Sequence, residues 1–145
     1  MKWISQDFYD NQYGGTPIQS DKFNMIANAA ERTIDQITHF NLSKLDFSTL
    51  PAFIQNQVLM AISAQMEYFY EIGSHTEAGM QTVQSASIGG FHYQNAPMVN
   101  TTTNLMRSDV AINYLAPTGL MYAGVEVKNP GFDSRYGYFG GWIND

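Results

Sequence analysis

Cysteine is absent from the 145 residues. This excludes a disulfide framework and thiolate metal ligation, and it leaves both reducing and oxidising compartments open. Basic residues are scarce, with 7 Lys+Arg against 13 Asp+Glu and a formal net charge of −6. Capture of nucleic acid by neutralising phosphates needs the opposite balance. An acidic wall past which DNA slides is still compatible with it, because repulsion favours passage over capture. Long apolar runs are also missing. The densest neighbourhood, Val58–Ile62, is followed by polar Ser63, Gln65 and Glu67, far short of the ~20 residues that a membrane span requires. Met1–Tyr13 carries one Lys and no apolar stretch of signal-peptide length, so the expectation is a soluble intracellular protein without a secretory leader.

What is present suits one globular domain. Hydrophobic residues make up 44% and charged residues 14%, which is not a disordered composition. Near the start, Ser5 is placed to cap a helical turn over Gln6–Gln12, and Gly14-Gly15-Thr16-Pro17 breaks it. Ser20 reads as an N-cap, and Phe23, Ile26, Ala27, Ala30, Ile34 and Ile37 follow at the spacing of one helix face, predicting a helix over Asp21–Thr38. A polar connector over 39–50 holds the apolar anchors Leu45 and Leu50, with Thr49 a candidate cap and Pro51 a first-turn proline. Pro51–Ile72 is predicted helical and apolar on more than one face, hence central, with Gly73 as its stop.

Beyond Ser74 the composition turns to Gly, Ser, Thr, Asn and Gln. The loose alternation of Thr82–Ile88, followed by Gly89-Gly90 and Phe91-His92-Tyr93, predicts a strand pair or extended loop over 81–94. Met98–Thr103 reads as connector, and a last helix is predicted over Asn104–Leu115, ended by Pro117. The fold expected is therefore mainly α. It is a small bundle of two long antiparallel helices and a shorter third, with a β-hairpin or long loop between the second and third, and an extended C-terminal arm.

Candidate chemistry is thin. Glu67, Glu71 and His75 stand at i, i+4, i+8, a spacing that aligns two carboxylates and an imidazole for metal ligation on a continuous helix. Gly73 should end the helix before His75, so a solvated helix face is the favoured reading. His39 at the end of the first long helix complements its dipole, and His92 beside aromatics reads as structural. Gly89-Gly90 suggests a bulge or close backbone approach. No nucleophile elbow, phosphate-cradling loop or metalloprotease motif occurs in the sequence, so no catalytic, metal or cofactor site is expected.

The stretch from Asn129 packs Phe132, Tyr136, Tyr138, Phe139 and Trp142 among four glycines. A stacking platform for nucleic acid would need basic company, and only Lys128 and Arg135 are near. Docking on another protein is the leading reading, ahead of packing on the chain's own core. The chain divides accordingly into a helical domain over 1–128 and an aromatic arm over 129–145.

Four strings, in order and spacing, resemble the head–tail connector (adaptor, head-completion) proteins of long-tailed bacteriophages. They are Ala29-Ala30-Glu31-Arg32-Thr33-Ile34-Asp35, Val58–Tyr68 with Ala64-Gln65-Met66-Glu67-Tyr68, Val83-Gln84-Ser85-Ala86-Ser87-Ile88-Gly89, and Pro117-Thr118-Gly119-Leu120-Met121-Tyr122-Ala123-Gly124-Val125. The chain departs from that pattern at Ala123, where relatives often carry a basic residue, and in the twenty residues past Val125.

The resemblance implies a structural virion protein at the head–tail interface, assembled in the host cytoplasm. It would form a homo-oligomeric ring of about twelve subunits, held between the portal protein and a tail-side stopper or tail-completion protein. DNA would pass through the channel without specific binding, and neither a membrane nor a cofactor would be involved. On this reading Ser85, Ser87, Ile88, Gly89 and Gly90 belong to a channel or inter-subunit loop, and the segment 74–104 is mobile in the free subunit and ordered in the ring. Tyr138, Trp142, Phe132, Tyr136 and Phe139 form the arm's protein interface. The rival from the residues alone is a helical intracellular binding or regulatory module, monomeric or dimeric.

Overall fold

The computed structural model describes residues 3–90 and 106–122, and for 84–90 the backbone only. The arm over 129–145, the 128/129 boundary, His92, the connector over 98–103 and the string 123–125 lie outside the described residues.

The N-terminal segment is tied to the bundle by carboxylates. Ser5 accepts the Phe8 N–H through Oγ at 3.1 Å, as expected of a cap. The turn that follows widens into a π-helical turn over Phe8–Tyr13. Tyr9 is fully buried and its hydroxyl donates to the Thr16 carbonyl at 2.6 Å. Glycine at 15 makes room for the Tyr13 ring, since a Cβ there would lie 2.6 Å from it and force the ring to shift. Further back, buried Glu31 accepts the N–H groups of Trp3 and Ile4 at 2.7 Å each.

Helix α1 runs Ser20–Ile37 and buries Phe23, Ile26, Ala27, Ala30, Ile34 and Ile37, the face read from the spacing. Its start differs by one position. Gln19, with extended backbone, occupies the cap position and Ser20 is the first helical residue. After α1 the chain turns sharply through His39 and Phe40, both at left-handed φ (56° and 63°), a conformation that costs a non-glycine residue on the order of 1–3 kcal/mol. The Phe40 N–H reaches back to the Asp35 carbonyl at 2.7 Å. The short helix α2, Asn41–Lys44, buries Asn41 and Leu42. Leu42, and not Leu45, is therefore the connector's anchor, since Leu45 is exposed while Leu50 packs against the core. A 3₁₀ turn over Phe47–Thr49 follows, in which Thr49 donates to the Asp46 carbonyl and so does not cap the next helix.

Helix α3, Ala52–Ile72, is central as expected: Ala61 through Met66 are buried without a break. It packs α1 on one side and a short helix over Asp109–Leu115 (α5) on another. Residues near the start of α1 line the same cavity as residues at the end of α3, so the two long helices run antiparallel. Gly73 ends α3 at φ 90°, where the absent Cβ removes the usual left-handed penalty.

The largest departure from the sequence reading is α4. Residues Glu77–Gly90 are helical where extended structure was expected from residue 81, so neither a strand pair nor a glycine bulge forms over 81–90. Two local features decide this. The Thr76 Oγ1 accepts the Gly79 N–H at 3.0 Å, an N-cap bond, and Glu77 places negative charge in the first turn. Buried Met80 then anchors the helix to the core. The remainder of 91–104 lies outside the described residues, and the described ones contain no strand.

The last helix, α5, is shorter than expected. It runs Asp109–Leu115 instead of starting at Asn104, because the Ser108 side chain caps it by accepting the Ala111 N–H. A 3₁₀ turn over Ala116–Thr118 contains Pro117, and Gly119 adopts φ 75°. Leu120 is buried, and its carbonyl accepts from Asn41 Nδ2 at 2.8 Å. None of the helices among the described residues is long and apolar enough to cross a membrane.

Candidate functional site

The Glu67, Glu71 and His75 row does not assemble as a ligand set. Glu67 turns toward the N-terminal segment, where it accepts the Tyr13 hydroxyl at 2.8 Å, the Thr16 N–H at 2.8 Å and the Thr16 hydroxyl at 3.0 Å. Thr16 Oγ1 also lies 2.5 Å from Glu71. Burial works against the charge on Glu67, but the bonds from Thr16 and Tyr13 outweigh it and hold the carboxyl below its ordinary pKa. The face is therefore not merely solvated: it fastens Tyr13 and Thr16 to α3. Burial above all, followed by the Glu67 charge for Tyr9 and by the Glu67 hydrogen bond and charge for Tyr13, pushes both phenols far upward, so both stay neutral donors. Among the described residues no group of three His, Asp or Glu side chains is placed to hold a metal.

His75 goes elsewhere. The turn at Gly73 carries it off the α3 face and against Phe69, edge-on at a centroid distance of 6.5 Å. It borders a cavity of about 280 Å³ between the first turns of α1 and the end of α3, lined also by Lys22, Met25, Ile26, Phe69 and Tyr70. Gly73, Ser74 and Thr76 complete its lining. The His75 Nδ1 is buried and has no hydrogen-bond partner. An apolar floor, one ammonium at the rim and one imidazole can take an aromatic group with a single polar handle. Sequence reading missed Lys22 and misassigned His75, since nothing local joins residues 22–26 to 69–76.

A second feature sits at the opposite end, where α1 closes and α3 opens. Phe40 is 52% exposed, Phe53 58% and Tyr122 68%. Phe40 stands there because the left-handed turn at His39–Phe40 turns it out of the bundle while Asn41 and Leu42 turn in. Asn41 Nδ2 also reaches the Tyr122 carbonyl at 3.4 Å, which brings Tyr122 to this end.

Of the other residues singled out in the sequence, Ser85, Ser87, Ile88, Gly89 and Gly90 fall on the last turns of α4. His39 is exposed just past α1. Phe132, Tyr136, Tyr138, Phe139 and Trp142 lie outside the described residues. Compared with protein-family models, curated proteins and solved structures, the chain matches none.

Proposed function

We propose that this chain is a structural subunit of a virion connector, forming a ring between a portal and the tail-side proteins and lining the path of DNA. The observation that carries the reading is the exposed apolar end formed by Phe40, Phe53 and Tyr122. A backbone strained at two successive non-glycine residues holds Phe40 out in water, which burial between subunits would offset. The four strings that resemble connector proteins, the net acidity and the small helical bundle support the same reading. Ring assembly calls for no catalytic group, and we propose that the protein is not an enzyme.

Native mass spectrometry of the full chain tests the assembly. Monomer, or closed rings near twelve subunits, is expected, since closure on a portal template is compatible with a monomeric free form. A stable two-fold dimer as the sole species overturns the ring, because one isologous contact cannot generate it. Detection of the chain in purified virions separates a connector from a helical regulatory module.

A further inference from the structure

The cavity beside His75 and the point where the described chain ends lie at opposite ends of the bundle. Lys22 and Ile26 border the cavity near the start of α1, while Tyr122 is held by Asn41 just past its end. At 1.5 Å per residue, the helix from Lys22 to Ile37 separates them by roughly 22 Å. Beyond Tyr122 come twenty-three residues that include five aromatics.

We propose that the cavity receives the aromatic segment 129–145 of a second copy of this chain, with the Trp142 indole as its anchor and Tyr138 next to it in rank. The inference rests on the ring reading for its choice of a second copy, and on the cavity itself for the rest. Size is the first argument. About 280 Å³ lies just below the range for small-molecule pockets, roughly 300–1,000 Å³, and suits one ring system better than a cofactor. Polarity is the second. His75 lines the cavity, and an imidazole can accept from an indole N–H or a phenol.

Charge and topology add to this. The segment carries Asp133 and Asp145 against Arg135 alone, and Lys22 stands at the cavity rim. A tail that leaves one end of a subunit and a receptor at the other make a head-to-tail contact, the kind that closes into rings.

The test titrates a fluorescein-labelled peptide of residues 129–145 into the full-length protein and reads anisotropy. A full-length Tyr138→Ala/Trp142→Ala variant removes competition from the protein's own arm. Saturable binding to this variant is expected. It should weaken by about tenfold or more when Met25→Trp fills the cavity from its exposed rim, and likewise with His75→Ala, while far-UV circular dichroism and Tm stay unchanged. Peptide carrying Trp142→Ala should bind at least about tenfold less tightly.

Absence of saturation, or equal binding with both cavity variants, overturns the proposal. If the double variant binds but the wild-type chain refuses the peptide at every dilution, the arm occupies its own cavity and the second-copy assignment is overturned. The ring reading fails separately: a sole two-fold dimer, or absence from virions, would leave peptide binding at the cavity standing.

Discussion

The side-chain amide of Gln65 on α3 holds the α5 cap and the chain just before it: Oε1 accepts the Ser108 N–H at 3.0 Å and Nε2 donates to the Met106 carbonyl at 2.7 Å. Gln65 is fully buried, so no water competes for these groups. Ser108 in turn caps α5 through its hydroxyl. One side chain thus fixes where α5 begins and how it lies on α3.

Replacing Gln65 by Leu keeps the volume but strands the buried Ser108 N–H and removes the bond to the Met106 carbonyl. The orphaned donor costs about 1–3 kcal/mol and the lost bond about 1 kcal/mol, so Gln65→Leu should lower stability by about 2–4 kcal/mol, read from the urea midpoint. Ser108→Ala, which removes only the cap bond, should cost about 1 kcal/mol. Equal losses from both would mean that the amide bridge does not hold α5.

Acid should loosen the N-terminal segment first. The Glu67 carboxyl titrates lower in the folded chain than in the unfolded one, so the unfolded state binds more protons in the interval between. Its contribution is complete above the ordinary glutamate value of about 4.3 and is lost as pH falls through the lower folded value. Stability measured down from pH 6 should show this loss beginning below about pH 4.3, and Glu67→Gln should flatten the slope. Tyr13→Phe removes one of the three groups bound to Glu67 and should cost about 1 kcal/mol at neutral pH. An unchanged acid slope in Glu67→Gln would show that the carboxylate bonds do not govern this step.

Thr76→Ala addresses α4. Loss of the bond from Thr76 Oγ1 to the Gly79 N–H should cost about 1 kcal/mol and speed hydrogen exchange over residues 77–83, leaving α1 and α3 protected. Slow exchange over 77–83 in the variant would place the stability of α4 in Met80 packing alone.

How far the sequence disclosed this architecture follows from the range of the forces involved. The faces of α1 and α3 show as periodicity because one continuous core buries them, and Gly73 shows as a stop because its backbone demands glycine. The start of α4 hung on Thr76, a single hydroxyl ahead of a weakly patterned run, and Thr82–Ile88 mimics strand alternation within a helix. Ser108 was equally local, and its cap bond is what moves the start of α5 from 104 to 109. The cavity was not legible at all. Lys22 and His75 are fifty-three positions apart, and only the antiparallel packing of α1 on α3 brings them to one opening. Glu67 looked like a solvent-facing residue because its partners, Tyr13 and Thr16, approach from the other end of the sequence.

The helical domain should stand without the aromatic arm. Among the described residues the buried cluster runs from Ile4 to Leu120, and the hydrogen bonds that fasten its ends, Glu31 to Ile4 and Asn41 to Leu120, close within that span. Five aromatic side chains in 129–145 nonetheless carry a large apolar surface, roughly 150–250 Å² each when buried. Docking two or three of them on a neighbour supplies several kcal/mol before the cost of ordering the segment. Truncation after Lys128 should therefore leave far-UV ellipticity and Tm of the monomer nearly unchanged while abolishing incorporation into virions. If the truncated chain melts several degrees lower, the aromatics serve their own domain's core, since a shift of about 2–8 °C corresponds to the order of 1 kcal/mol in domains of this size. Unchanged melting with normal incorporation would instead remove the arm from assembly altogether.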